Sequence, residues 1–147
     1  MKKIIAIILI LNALFLLGCD FYQQMQQMQD ESYKASELAE KFCFALAFDE
    51  IERAKGYLHP DWEAKNGALE DYIIQFEQVN SIDFSNGVAI KKRLRETYVM
   101  YTDKLMYEPG IIIFVGDKKL KLYFRVLDND AGYGIYDFGL ESDRSNP

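Results

Sequence analysis

The segment LKLYFRV, residues 120–126, decides the fold class, because apolar and polar side chains alternate along its whole length. The apolar side chains fall on one side: Leu120, Leu122, Phe124 and Val126. The others fall on the opposite side: Lys121, Tyr123 and Arg125. A period of two residues is typical of a β-strand with one buried face. The segment therefore predicts a strand whose apolar side packs on a core.

Turn signals flank this segment on both sides, at residues 116–119 and 128–132, which are rich in Gly, Asp and Asn. Pro109-Gly110 predicts another turn. Between and beyond the turns lie three stretches that favour strands: Ile111–Val115, Tyr133–Leu140 and Tyr98–Tyr107, which is rich in β-formers. The C-terminal half thus predicts an antiparallel sheet joined by short turns.

The segment Glu31–Phe48 has helical periodicity. Its apolar residues share one face: Leu38, Phe42, Ala45 and Leu46, with Ala39 and Cys43 beside them. Asp49 followed by Glu52 has the spacing of a capping box, which predicts that Asp49 is the N-cap of the next helix. We expect Cys43 to be a small buried apolar residue.

Three further features complete the N-terminal half. A short helix with an apolar stripe should end at His59-Pro60, since the residue before Pro avoids the α region. Residues 61–66 favour another turn closed by Gly67, and a third helix should follow, with apolar positions at Leu69, Tyr72, Ile73 and Phe76. Helices followed by strands predict an α+β fold, with N-terminal helices packed on a curved antiparallel sheet in a cone-shaped roll.

The first 19 residues have three parts: the basic start Met1-Lys2-Lys3, an almost unbroken aliphatic run from Ile4 to Leu17, and Gly18-Cys19. A run of about 14 residues suits a signal peptide and is shorter than the ~20 residues that span a bilayer. Leu16-Leu17-Gly18-Cys19 resembles the lipobox of bacterial lipoproteins. That resemblance implies cleavage after Gly18 and acylation of Cys19, whose lipid chains would hold the protein on a bilayer. An uncleaved anchor is the alternative.

Asp20 resembles the signal that retains lipoproteins in the inner membrane of enterobacteria-like cells. It favours the periplasmic face of the inner membrane, with another membrane or the cell surface as alternatives. We divide the chain into a signal peptide (1–18), a lipidated Cys and tether (19–30), one α+β domain (31–141) and a disordered tail (142–147). Residues 20–30 are interpreted either as a helical extension or as a tether.

Composition excludes one class of partner. Without Lys2 and Lys3, 15 basic residues face 23 acidic ones, so the net charge changes from −6 to −8. Nucleic-acid binding is therefore not expected, because it requires a basic face. With Cys19 acylated, Cys43 has no partner for a disulfide within the chain, which has two cysteines. We expect no cofactor and no metal, and the oligomeric state stays open.

The chain, with its helices followed by three strands with paired turns, resembles the cystatin-like α+β roll, the nuclear-transport-factor-two-like superfamily. The resemblance rests on a long helix, an acidic residue, a short helix and Leu-His-Pro: Ala39, Phe42, Ala45, Leu46, Phe48-Asp49, Ala54 and Leu58-His59-Pro60-Asp61. It implies a pocket between sheet and helices. Members of that superfamily include isomerases, dehydratases and non-catalytic binding domains, so the fold leaves function open.

Two motifs could carry chemistry. His59, beside Asp61, could act as a general base, and its alternative role is to end a helix. Residues 128–132, DNDAG, have the alternating oxygen ligands of a calcium loop, but Gly139 stands where the loop needs Glu. A polar hairpin turn is the favoured interpretation of this segment.

Two residue sets could form surfaces. One is a basic cluster that could contact anionic lipid or form a solvated strand edge: Lys91, Lys92, Arg93 and Arg95. The other is a set of tyrosines that could line a pocket or an interface or pack within the sheet: Tyr98, Tyr101, Tyr123 and Tyr136.

No catalytic residue is assigned. We expect a membrane-tethered periplasmic lipoprotein whose domain binds a periplasmic protein or a small ligand without catalysis, for example an immunity or assembly factor. The alternative is an isomerase or dehydratase that uses the cone pocket. An open cone with two titratable groups at its base would favour the enzyme, whereas a cone filled by aromatic rings would disfavour it.

Overall fold

The computed structural model describes the backbone of residues 2–93, 97–101 and 104–140, and the side chains of residues 22–23, 25–90 and 106–140. The chain divides into two compact units, Met1–Tyr33 and Lys34–Pro147. Four α-helices and six strands lie in the described part: α1 (Lys2–Ala47), α2 (Ile51–Lys55), α3 (Trp62–Asn66), α4 (Leu69–Asn80), β1 (Val88–Arg93), β2 (Thr97–Tyr101), β3 (Lys104–Glu108), β4 (Gly110–Val115), β5 (Lys118–Asn129) and β6 (Gly132–Leu140).

The sheet is built around β5, and every pairing in it is antiparallel. One edge of β5 pairs with β4 and then with β3, while the other edge pairs with β6. β1 pairs with β4, and β2 pairs with β3. The sheet is curved and open, with helices before it in the chain. The predicted α+β fold is therefore confirmed.

The predicted turn at Pro109-Gly110 is wrong. β3 and β4 pair with the same strand on either side of Pro109, whose carbonyl accepts a hydrogen bond from the amide of Phe124 at 2.9 Å. Proline lacks a donor but keeps its acceptor, so the ladder with β5 passes through it. Pairing with a long neighbouring strand overrides the local turn signal.

The other predicted turns lie where the sequence placed them. Gly116, with φ 56°, follows β4, and a two-residue connection joins β5 to β6. The stretch Tyr98–Tyr107 is divided between β2 and β3. β1, which carries Lys91–Arg93, is a full strand of the sheet.

The predicted N-cap at Asp49 is wrong, because Asp49 lies in the turn that follows α1 and Glu50 stands at the N-cap of α2. Asp49 has φ 56°, its amide donates to the carbonyl of Leu46 at 3.1 Å, and the amide of Glu50 donates to Ala45 at 2.9 Å. These two bonds form a Schellman motif, which satisfies carbonyls at the end of the helix. Asp is among the few residues that tolerate this left-handed conformation.

The helices bury the predicted apolar faces. In α1 the buried apolar residues are Ala35, Ala39, Phe42, Cys43, Ala45 and Leu46, with Leu38 partly buried, and in α4 they are Leu69, Ile73 and Phe76. The predicted end of the short helix at His59-Pro60 is wrong, because α2 already ends at Lys55, and α3 covers the turn expected at residues 61–66. The backbone of residues 20–30 belongs to α1, in agreement with the helical interpretation of that segment. No helix among the described residues is long and apolar enough to cross a membrane.

Candidate functional site

The space between the helices and the sheet is filled by aromatic rings. Phe138 of β6 is central: its ring centroid lies 5.0–5.7 Å from those of Phe42, Tyr72, Trp62, Phe76 and Phe124. Rings at these distances are in direct contact, so side chains fill the space around Phe138. The interior thus gives no support to the enzyme alternative, which needs an open cone.

His59 is buried, with 1% of its surface exposed, and both of its ring nitrogens have partners. Nδ1 accepts a hydrogen bond from the amide of Asp61 at 3.1 Å, and Nε2 lies 3.0 Å from Oδ1 of Asn129. Because Nδ1 is an acceptor, Nε2 carries the proton and donates to Asn129. The imidazole thus joins the segment after α2 to the β5–β6 hairpin.

The backbone around His59 is part of the same junction. Its amide donates to the carbonyl of Ile135 at 2.9 Å, and the amide of Ile135 donates to Tyr57 at 2.9 Å. A Cβ on Gly134 would lie 2.5 Å from the backbone of Leu58 and His59, so only glycine fits that approach. His59 therefore helps to hold the segment after α2 against β6, which is a structural role.

The segment Asp128–Gly132 forms the β5–β6 hairpin. Oδ1 of Asn129 accepts hydrogen bonds from the amides of Ala131 at 2.9 Å and Gly132 at 3.3 Å, in addition to its bond with His59. This oxygen closes the turn as an Asx motif, and its hydrogen-bond donors are protein groups. Among the described residues, no group of three or more His, Cys, Asp or Glu side chains is placed to hold a metal ion.

The structure describes the side chains of two of the four predicted tyrosines, Tyr123 and Tyr136. Tyr123 lies on β5 beside Gly139 of β6, and Tyr136 contacts the ring of His59 at 5.9 Å and the ammonium of Lys65 at 4.6 Å. Tyr98 and Tyr101 belong to β2, and their side chains lie outside the described residues, as do the side chains of the basic cluster Lys91, Lys92 and Arg93 in β1. Arg95 and the tail 142–147 lie wholly outside.

Of the two cysteines, the structure describes the side chain of Cys43 but not that of Cys19. The backbone of Gly18-Cys19 lies within α1, and the side chain of Cys19 lies outside the described residues. Cys43 is free and buried, as expected, and this burial raises the pKa of its thiol to about 12. A thiol with that pKa is almost entirely protonated at neutral pH and is a poor nucleophile.

A cleft of about 290 Å³ opens where the end of α1, α2, α4 and the turn after α4 converge. We call it the acidic cleft. Its apolar lining comes from Leu46, Ile51, Ile73, Ile74 and Phe84, and its polar lining from Asp49, Glu70, Glu77, Asp83 and Ser85. Ile74 is 53% exposed, and Phe48, next to Asp49 in the chain, is 71% exposed. The cleft thus combines apolar surface with four carboxyl groups.

Hydrogen bonds keep two of these carboxyl groups ionised. The hydroxyl and amide of Ser85 donate to Asp83 and lower the pKa of its carboxyl group. The ammonium of Lys55 lies 2.6 Å from Glu70 and lowers the pKa of that carboxyl group. Glu77 accepts a hydrogen bond from the amide of Phe84 at 2.8 Å, which ties α4 to the following turn. The cleft is therefore negatively charged at neutral pH.

The acidic cleft is not apparent from the sequence, because its residues come from three separate stretches of the chain, 46–51, 70–77 and 83–85. The clearest signal was at Ile74, whose apolar side chain departs from the buried stripe formed by Leu69, Ile73 and Phe76. Comparison of the chain with protein-family models, curated proteins and solved structures found no match.

Proposed function

We propose that the protein is an exported, lipid-anchored binding domain that holds a cationic, apolar segment of a protein partner in its acidic cleft. The observation that carries the binding part is the cleft itself, in which exposed apolar surface lies beside four carboxyl groups. The anchor part rests on the lipobox residues Leu16-Leu17-Gly18-Cys19. The periplasmic face of the inner membrane is the proposed location, because Asp20 follows Cys19.

The size of the cleft favours a protein segment over a small molecule. Pockets that enclose a drug-sized ligand measure about 300–1,000 Å³. The acidic cleft, at about 290 Å³, lies just below that range and is open to solvent. It suits one or two inserted side chains whose parent chain stays outside, as in the anchor pockets of protein interfaces.

Its charge and polarity specify the inserted side chains. The apolar wall offers burial to a Leu, Ile or aromatic side chain. The carboxyl groups of Asp49, Glu77 and Asp83 attract Lys or Arg, whereas Glu70 is already paired with Lys55. An anionic segment would be repelled. The preferred ligand therefore places an apolar side chain next to a basic one.

A panel of four labelled peptides of equal length tests this preference: Leu with Lys, Leu with Glu, Ser with Lys, and Ser with Glu. The protein is held in nanodiscs of neutral lipid, and empty nanodiscs correct for binding to lipid. We expect the Leu/Lys peptide to bind best and its affinity to fall as salt increases, since exposed charges are screened.

Two variants on α4 locate the binding site. Ile74→Lys should raise the Kd of the Leu/Lys peptide roughly tenfold, corresponding to about 1.4 kcal/mol, because it removes apolar contact and adds a like charge. Val79→Lys is the matched control, since Val79 is exposed on the same helix but does not line the acidic cleft. Equal effects of the two variants, or equal binding of the Leu/Glu peptide, would overturn the proposal.

The anchor is tested separately. Mass spectrometry of the protein purified from membranes should find acylated Cys19 as its first residue, because lipobox processing removes residues 1–18. Cys19→Ser should abolish both the added lipid mass and the cleavage. Recovery of an unmodified chain that begins at Met1 would refute the anchor while leaving the proposed role of the cleft intact.

A further inference from the structure

The face of the sheet that points away from the core carries lysines between apolar side chains. In β4 and β5 the core side is formed by Ile111, Ile113, Val115, Leu120 and Leu122. The intervening residues point to the opposite, outer face. Phe114 pairs with Lys119, and Ile112 pairs with Lys121. Residues directly opposite each other in an antiparallel pair share a face, so these four side chains form one surface.

β1 extends this surface by one strand. Ala89 is the backbone partner of Phe114, and Lys92 is the backbone partner of Ile112. Ala89, Lys119 and Lys121 are exposed, while Ile112 and Phe114 are half-buried. We call the surface formed by Ala89, Ile112, Phe114, Lys119 and Lys121 the basic face. The strand register thus aligns Lys119 and Lys121 of β5, across β4, with residues of β1.

We propose that the basic face lies against anionic lipid headgroups of the membrane that holds the protein. This inference rests on the lipid anchor of the proposed function. The face is basic although the chain has a net charge of −6 and its acidic cleft lies on the helical side. The lysines of the basic face are complementary to an anionic bilayer, and the carboxyl groups of the acidic cleft suit a cationic partner.

The residues next to the basic face mark its limit. Tyr123 follows Lys121 on the outer side of β5, and its ring lies over Gly139. Tyrosine has an apolar body and a polar tip, which suit the headgroup region of a bilayer. Beyond it, the guanidinium of Arg125 is neutralised by Glu108 at 3.2 Å and Asp137 at 3.6 Å. Lys119 and Lys121 lie at the β4–β5 end of the face, next to this ion-paired group.

Each Lys near an anionic membrane surface contributes about 1 kcal/mol. Changing both lysines to Gln should therefore lower the ratio of docked to undocked domains roughly thirtyfold. An attached anchor keeps the domain at high effective concentration near the lipid, so weak contacts of this size are enough to orient it.

The experiment places a fluorophore on the basic face without removing a lysine. The full chain with Ala89→Cys, labelled at that residue and held by its own anchor, is incorporated into vesicles that contain lipids with nitroxide headgroups. The vesicles are phosphatidylcholine alone or phosphatidylcholine mixed with phosphatidylglycerol. We expect quenching in the anionic vesicles, less quenching in the neutral ones, and loss of the difference at high salt.

The double variant Lys119→Gln/Lys121→Gln should lose the extra quenching. A label at Gln78→Cys, exposed on α4, is the matched control and should be quenched equally little in both vesicles. Equal quenching of the Ala89 label in both vesicles, or no effect of the double variant, would overturn the proposal. Failure of the anchor is distinguishable, because the protein would then be lost from both kinds of vesicle.

Discussion

At the residue scale, the local sequence is most informative where a side chain has one dominant physical property. Leu120, Leu122 and Phe124 are apolar and alternate, and all three are buried as predicted. Asp49 has two local options, because an Asx side chain can cap the start of a helix or occupy the left-handed position after its end. In the structure Asp49 occupies the left-handed position, and hydrogen bonds satisfy the backbone carbonyls at the end of α1.

Cys43 provides a prediction about reactivity. Burial raises the pKa of its thiol to about 12, so the thiolate needed for alkylation is almost absent at pH 8. We expect iodoacetamide to leave Cys43 unmodified in the folded protein and to modify it in denaturant, as detected by mass spectrometry. With Cys19 acylated, the unfolded chain should take up one label, because it contains two cysteines. Rapid labelling of Cys43 under native conditions would contradict the described packing.

At the element scale, the ends of helices and strands were harder to predict than their interiors. The stripe Leu69, Ile73 and Phe76 predicted α4, and the alternation after Gly116 predicted β5. Pro109-Gly110 was misassigned because turn propensity is a local preference, whereas β3 and β4 both gain ladder hydrogen bonds from β5. The interior of a helix or strand repeats its apolar pattern over many residues, whereas the position of its end depends on one or two residues.

The junction between α1 and α2 gives a prediction about stability. Asp49 has φ 56°, a conformation that glycine adopts without a steric cost. Asp49→Gly should therefore stabilise the fold by about 0.5–1 kcal/mol, measured by urea unfolding with the fluorescence of Trp62, the single tryptophan.

Glu50→Gly is the matched control for that variant. Glu50 has φ −88°, so glycine brings no conformational relief there and only adds entropy to the unfolded chain. We expect this second variant to be less stable than the parent protein. Stabilisation by both changes, or by neither, would show that the left-handed conformation at Asp49 does not determine how glycine affects stability.

At the scale of the whole molecule, function depends on which surfaces the fold leaves exposed. The aromatic cluster around Phe138 fills the interior, so the acidic cleft and the basic face lie at the periphery. His59 illustrates the same point: its sequence neighbours suggested a general base, but its partners Asp61 and Asn129 hold it within a structural junction. A titratable residue becomes a reactive one only where the fold gives it access to a ligand.

The sequence by itself determined the α+β class, the main apolar faces and the burial of Cys43, because periodic patterns reflect which side chains leave water. It also contains Leu16-Leu17-Gly18-Cys19, which resembles a lipobox and can be recognised because the four residues are contiguous. Only the tertiary structure decided that aromatic rings pack around Phe138, that Ile74, Glu77 and Asp83 share a cleft, and that Lys119 and Lys121 lie opposite Phe114 and Ile112 of β4. These features join residues far apart in the chain, so they depend on strand register and helix packing, which local patterns do not encode.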